Sequence, residues 1–500
     1  SVLTKDNLKE WNGMEERKLI PLIAKIESVS GAQREFDYDA DFKREFSSIV
    51  CKRWHNASSS LRRAFIIVLR VLSREKSEAH ALLSKDVMEV VIGSSGLAAC
   101  CDADIPEDER IEAVKCLVNA FFHQPRSLVR FVELECVSGL GRAVIKEKDG
   151  DKRYLYMHLA FIVSAFQQPA QDQWREDTEF IHAMCEESLK WEKSERNATE
   201  ALKIFFNIFS HSYGKIDKAV VEECLQTGRR ILLEVPRGHS HIQNTVNVLG
   251  CMPLIEDVLF PKLEEGEISD CSFDGRDMRV AQVVMDDLGD RLETLENVDV
   301  LGTYFTLLTS ASTLSKAVRR YCRMKIIPPL HAVDVERPPE MGDTMRNKII
   351  RVMHSPCNPR DLAAQFMYVL CKRSVNRLIK YTGLGHSAGL LANSGLLGRI
   401  NECRRGSDSE DSETDDYKDI EERVNPVTGY VREERPDPMA GMSEEQKEFE
   451  AMKLVEAMDR LLGEGIIKPG TIGPDGRPTT VSHVLELVKN VKTPDGSDSD

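Results

Sequence analysis

Aromatic residues are scarce in this chain: 6% of 500 residues, against 41% hydrophobic residues in all. An apolar complement made so largely of aliphatic side chains suits helices stacked through aliphatic stripes better than a β-rich fold. No convincing alternation of apolar and polar residues marks a strand. Paired cysteines are also missing. Thirteen cysteines lie scattered from Cys51 to Cys403 with no C-x-x-C spacing, and the only close pair is the adjacent Cys100–Cys101. Cys116 and Cys371 sit inside apolar stretches, where cysteine behaves as a small hydrophobe, so reduced thiols are expected. No run approaches the roughly 18–20 apolar residues that cross a bilayer, and the opening SVLTKDNLKEW has no apolar signal core. A soluble cytoplasmic protein is expected, with peripheral recruitment to the cell cortex or plasma membrane left open.

The net charge of −15 is unevenly spread. Residues 401–500 carry 25 acidic against 13 basic side chains, which leaves the first 400 residues close to neutral, at 57 against 54. A nearly neutral body with an acidic tail argues against generic binding to nucleic acid or to anionic lipid.

Helical periodicity dominates residues 1–400, in segments such as LRRAFIIVLRVLSR (61–74), IEAVKCLVNAFF (111–122) and DLAAQFMYVLCKRS (361–374). Two of these segments resemble each other. EAVKCLVNAF (112–121) and EALKIFFNIF (200–209) share Glu, Ala, Lys, Asn and Phe at an offset of 88 residues. Arg70 and Arg74 fall in the same frame 45 residues before Lys115 and Asn119, and Asn247 comes 40 residues after Asn207. Half of 88 is 44, within the 40–47 residue period of armadillo and HEAT units. The expectation is an all-α, armadillo/HEAT-like right-handed superhelical solenoid of about nine repeats over residues 1–400.

The recurring position Arg74, Asn119, Asn207, Asn247 reads in two ways. The side chains either satisfy a neighbouring turn or form an asparagine ladder that pairs with the backbone of a bound peptide. In the second reading Arg70, Arg74, Lys115 and Lys203 make part of a concave groove basic and suited to a partner's carboxylates.

From about residue 400 the composition changes. Residues 401–424 read as an acidic disordered linker and 425–500 as a tail bearing one amphipathic helix, 443–462. Ser443 and Gln446 form a capping box, and Ala451, Leu454, Val455, Met458, Leu461 and Leu462 form its apolar stripe. That stripe packs either on the solenoid or on a partner. In the linker, Ser407 precedes Glu410 by three residues and Ser412 precedes Asp415 by three, which suits an acidophilic kinase of the casein kinase II type; phosphate there could dock on a basic patch.

Catalytic patterns fail on context. GHSAG (385–389) matches the G-x-S-x-G elbow around Ser387, but a helix rather than a strand precedes it, so a Gly-rich interhelical turn is expected. The glycines of GLGHSAG miss the G-x-G-x-x-G spacing, and no G-x-x-x-x-G-K-[ST] loop occurs. His239 and His241 form an H-x-H without cysteine or acid companions at zinc spacing and read as a loop. No catalytic residue, metal site or cofactor is expected, and the protein is not expected to be an enzyme.

RNKIIRVMHSP (346–356), RLIKYTGLGHSAGLLA (377–392), SDSEDSETDDY (407–417), NPVTGYV (425–431) and PMAGMSEEQKEFEAMKLV (438–455) together resemble the synembryn family, with KCLVNAFF and NTVNVLG upstream. Its members are chaperones and non-receptor guanine-nucleotide exchange factors for heterotrimeric G-protein α subunits (Gα). The resemblance implies that a concave groove holds the C-terminal helix of Gα and its terminal carboxylate, in GDP-bound or nucleotide-free Gα. It points to Arg70, Arg74 and Asn119 as groove residues. Arg346, Lys348 and Arg351 are basic candidates on a later helix. It also implies that the 443–462 helix, through Leu454, Val455, Met458, Leu461 and Leu462, engages the switch II region, and that Ser407 and Ser412 are phosphorylated positions. A monomer is expected. The competing reading is an armadillo-type peptide-binding adaptor or scaffold without exchange activity.

Overall fold

Aliphatic residues spaced three and four apart become helix in every long apolar segment named above. The computed structural model describes residues 5–30, 38–99, 104–210, 216–264, 266, 271–294, 296–400, 413–431, 439, 441–468 and 470–481. The chain divides into two units, Ser1–Leu259 and Phe260–Asp500.

In the first unit five helices pack each on the next in one row: Ser59–Leu72, Glu107–His123, Gly150–Phe166, Glu195–Ser210 and Ser240–Leu249. They begin 43–48 residues apart, close to the period read from the sequence. Helices Lys85–Ser94, Cys136–Lys146, Thr178–Ser188 and Lys218–Glu234 form a second row, each against the first-row helix that follows it. Phe65, Val68, Cys116, Leu117, Met157, Ala160, Ala201 and Ile204 on these first-row helices are fully buried. Burial pushes the Cys116 thiol up to about 12, so it packs as an inert apolar group. None of the ten cysteines among the described residues is in a disulfide.

Starts of helices are marked by short polar side chains. Ser58 accepts from the Leu61 amide, Asp149 from those of Asp151 and Lys152, and His239 from that of His241. The H-x-H is therefore a cap and the first turn of a helix, where a loop was expected. Its ring nitrogen takes the place of the usual Ser or Asp oxygen.

In the second unit, helix Leu301–Leu314 packs on Lys316–Ile326 and on Arg360–Leu370, and Met345–His354 packs on Arg360–Leu370. The GHSAG string departs from expectation. All five of its residues lie inside helix Leu384–Asn393, which begins directly after Gly383 (φ +77°). Ser387 is buried and donates to the Gly383 carbonyl at 3.1 Å, as an interior helical serine does. Its hydroxyl is not presented as a nucleophile.

The expected disordered linker is folded from residue 413 onward. Helix Asp415–Lys418 buries Tyr417, over whose ring the Lys380 ammonium sits at 4.1 Å. Asp416 accepts from the Ala332 amide at 2.9 Å; that bond, before smaller contributions from Thr414 and His331, holds its carboxyl below the usual range. The strands Val424–Asn425 and Tyr430–Val431 then form a hairpin. Its turn presents the Pro426 and Val427 carbonyls to the amides of Leu384 and Gly385, each at 2.9 Å. The strings YTGLGHSAG and NPVTGYV are thus two sides of one contact. A Cβ on Gly383 would lie 2.9 Å from the Thr428 carbonyl carbon and occupy a positive φ. Two further hairpins, Ser272–Phe273 with Arg276–Asp277 and Gly470–Ile472 with Pro478–Thr480, are too short to show as alternation.

Two glycines test the packing. A Cβ on Gly139 would lie 1.9 Å from the Leu97 carbonyl oxygen, whereas one on Gly93 meets nothing within 4 Å. Gly139→Ala should cost about 1–3 kcal/mol and lower the melting temperature. Gly93→Ala should leave it unchanged or slightly raised. Gly383→Ala should release the 424–431 hairpin, read as faster proteolysis between residues 413 and 431.

Candidate partner-binding site

The repeated string explains itself once the first-row helices are side by side. Glu112, Lys115 and Asn119 lie three and four residues apart, on one stripe of their helix. Glu112 accepts from Arg70 Nε on the preceding first-row helix at 2.8 Å, and from Lys115 at 2.8 Å. Asn119 Nδ2 donates to the Arg70 carbonyl at 3.1 Å. Two repeats on, the pattern returns. Glu200 meets His158 Nδ1 at 2.6 Å and Lys203 at 3.4 Å. Asn207 Nδ2 donates to the Phe161 carbonyl at 3.1 Å and the Ser164 hydroxyl at 3.0 Å. The shared Glu and Asn are straps that tie each helix to the one before it.

This geometry revises the basic groove. Glu112 and Glu200 are buried, and such carboxylates must be paired. Arg70, Lys115 and Lys203 supply that pairing, so none is an unopposed cation. The asparagines follow the first of the two sequence readings in kind: they satisfy a neighbouring backbone. Asn119 and Asn207 are half-buried, and each amide donates within the protein. Arg74 and Asn247 are half-buried, and neither is without a partner.

The later basic candidates belong to the second unit and serve its interior. Arg346 is buried, donating from Nε to the Tyr381 carbonyl at 2.9 Å and from Nη1 to that of Asp334 at 3.4 Å. Burial lowers its pKa below the usual guanidinium value. Lys348 is buried and paired with Glu293. Arg351 is half-buried and donates to the Glu340 and Gly342 carbonyls at 2.9 and 2.7 Å. These contacts correct the expectation of free groove cations at Arg346, Lys348 and Arg351. Arg346 and Arg351 hold the segment before their helix in place, and Lys348 ties that helix to the one that bears Glu293. Ser407 and Ser412 lie outside the described residues.

Apolar exposure marks what the sequence reading missed. Phe122 is 67% exposed, Phe166 53% and Phe206 37%, on three successive first-row helices. Phe122 and Phe166 are one repeat, 44 residues, apart. In NAFF the first phenylalanine, Phe121, fills the core and the second does not. Periodicity alone assigns both to one apolar stripe.

The tail helix forms as expected, over Glu444–Gly463, with the Ser443–Gln446 capping box in place. Its Leu454, Val455, Met458 and Leu461 are exposed, as are Phe449 and Met452; Leu462 is half-buried. Among the described residues nothing covers this stripe enough to bury it. No helix among the described residues is long and apolar enough to cross a membrane.

A family model described as guanine nucleotide exchange factor synembryn matches residues 65–477. The chain belongs to the synembryn family. It is 34% identical to the Caenorhabditis elegans protein "Chaperone ric-8", over 98% of this chain and 97% of that protein. It is 31% identical to the Danio rerio "Chaperone Ric-8A", over 87% of each. The helical-repeat fold is similar to that of a chain in a structure of the cadherin–β-catenin interaction, with a TM-score of 0.51 at 12% identity. That match covers 79% of this chain and 70% of the other. The synembryn chain thus has an armadillo/HEAT-like solenoid fold, and its family is one of chaperones and exchange factors.

The straps are testable apart from any partner. Asn207→Ala removes both bonds to the preceding helix and should cost about 1–3 kcal/mol, read as a lower melting temperature. Lys203→Ala, at a side chain 45% exposed, should change stability by no more than about 0.5 kcal/mol.

Proposed function

We propose that the chain is a chaperone and non-receptor guanine-nucleotide exchange factor for heterotrimeric G-protein α subunits. The observation that carries this reading is the family match across residues 65–477. Two apolar surfaces support it in kind. Exposed phenylalanines on the first-row helices offer anchors for the Gα C-terminal helix, and the exposed stripe of the Glu444–Gly463 helix offers an amphipathic face for the switch II region. Arg74, just beyond the Ser59–Leu72 helix that precedes the phenylalanine-bearing ones, serves the terminal carboxylate, while Arg70 is already held by Glu112.

The mechanism is differential binding. The chain favours a Gα state whose C-terminal helix has left its seat beside the nucleotide. Selective binding shifts the population toward that state and lowers GDP affinity by the same coupling free energy. The same grip stabilises nucleotide-free or unfinished Gα against unfolding, which is chaperone action by mass action. GTP restores the closed Gα and releases the chain. No covalent step is asked of any side chain here, and no cofactor. Phosphorylation of Ser407 and Ser412 by an acidophilic kinase would add charge just before the docked 413–431 segment and tune its position.

Two sets of variants separate the surfaces. Phe122→Ser with Phe166→Ser should weaken capture of a Gα C-terminal peptide at least tenfold with an unchanged helical circular-dichroism signal; unchanged capture removes the phenylalanines from the interface. Leu454→Asp with Met458→Asp should slow GDP release from full-length Gα while leaving peptide capture intact. If the unmodified chain does not accelerate GDP release from purified Gα, the exchange reading fails.

A further inference from the structure

We propose that Glu195, His239 and His241 bind one divalent transition-metal ion of the zinc class. The sequence offered no acidic companion to the H-x-H pair, because that companion lies 44 residues earlier, one repeat away. Stacking brings it in. Glu195 opens one first-row helix, His239 caps the next, and the two helices pack together. One ligand atom from each of the three residues lies within 4.8 Å of the other two. His239 Nε2 is 3.8 Å from Glu195 Oε1, and the two imidazole rings are 4.9 Å apart.

The independent sign of a ligand is His241. It has no exposed surface, and neither Nδ1 nor Nε2 has a hydrogen-bond partner. A buried imidazole left wholly unsatisfied needs an explanation, and a metal ion on one nitrogen is one that the neighbouring His239 and Glu195 also fit. Two imidazoles and one carboxylate suit zinc, cobalt or nickel, whereas calcium and magnesium prefer all-oxygen shells. Bonds of 2.0–2.1 Å in a tetrahedral site set ligand atoms about 3.3 Å apart, so the cluster must close by roughly 1 Å or more. The Glu195 side chain, 61% exposed, is free to make that adjustment.

Proton placement follows from the cap. The His241 amide donates to His239 Nδ1 at 3.2 Å, which leaves the neutral ring's proton on Nε2. Coordination through Nε2 displaces that proton onto Nδ1 and gives up this long bond. Two helix N-termini raise the local potential, and the Glu195 carboxylate offsets it. Three protein ligands leave one position for water or an outside donor. The bound ion would staple two adjacent repeats.

Trp191 supplies a reporter, because its ring lies 5.6 Å from that of His239. The full chain, stripped with chelator, is titrated with ZnCl2 by calorimetry and with CoCl2 by tryptophan emission. One saturable zinc per chain is expected. Cobalt should quench part of the emission, and that part should vanish in Trp191→Phe. Glu195→Gln, a substitution at an exposed side chain, should weaken zinc binding at least tenfold, as should His239→Gln, with an unchanged circular-dichroism spectrum. Absence of saturable one-to-one binding overturns the proposal. So does zinc binding that survives both variants, which would place the ion on the thiols.

Discussion

Two buried carboxylates, Glu112 and Glu200, hold the first unit in register. Each pairs with a basic side chain of the preceding first-row helix, Arg70 or His158, and with a lysine of its own helix. Removing the inter-helix partner of a buried charge costs about 3–5 kcal/mol, whereas the half-exposed lysines add little, so neither the glutamate nor its Arg70 or His158 partner changes freely. The asparagine two turns further along fixes the same pair of helices through a backbone carbonyl. Apolar stripes can slide past one another; a carboxylate and an amide with named partners cannot. The straps therefore set the angle and spacing at which successive repeats present their remaining side chains.

That constraint reshapes the recognition surface. With Arg70, Lys115 and Lys203 committed to glutamates, the face is electrically balanced, and what it has left to offer is apolar: Phe122, Phe166 and Phe206. A balanced, apolar face suits a partner helix whose own apolar residues are uncovered when it leaves its parent fold. The tail repeats this logic. Residues 413–431 are anchored on the second unit through Tyr417 and Gly383, and the helix that follows keeps its apolar stripe uncovered. On the function proposed above, a fixed anchor followed by an exposed amphipathic helix would give a second contact at raised effective concentration once the first is made.

The helical repeat was legible because aliphatic periodicity and the 88-residue self-similarity both survive in one sequence. The capping box at Ser443 was legible for the same reason, since its signal is local. What could not be read was direction. EAVKCLVNAF shows that Glu, Lys and Asn recur, but whether they face a partner or the previous repeat depends on a helix some 45 residues away. The burial of Arg346 and Lys348 was hidden likewise, because a cation in an amphipathic helix reads as exposed until its acceptors, the Tyr381 and Asp334 carbonyls and Glu293, are in place. The fold of the acidic linker from residue 413 was hidden because its docking rests on one aromatic ring, Tyr417, and on polar contacts such as Asp416 with the Ala332 amide, which composition reads as solvated. Phe122 was lost beside Phe121, and Glu195 was invisible as a companion to His239 and His241 for want of a repeat-length view.

The central claim is that this chain acts on Gα by preferring one of its states, and linkage makes that preference measurable from both sides. The affinity of the chain for Gα should be determined with and without saturating GDP, and the affinity of Gα for GDP with and without saturating chain. The account predicts a weakening of at least tenfold, by the same factor in both measurements. Equal affinity of the chain for GDP-loaded and nucleotide-free Gα would contradict it.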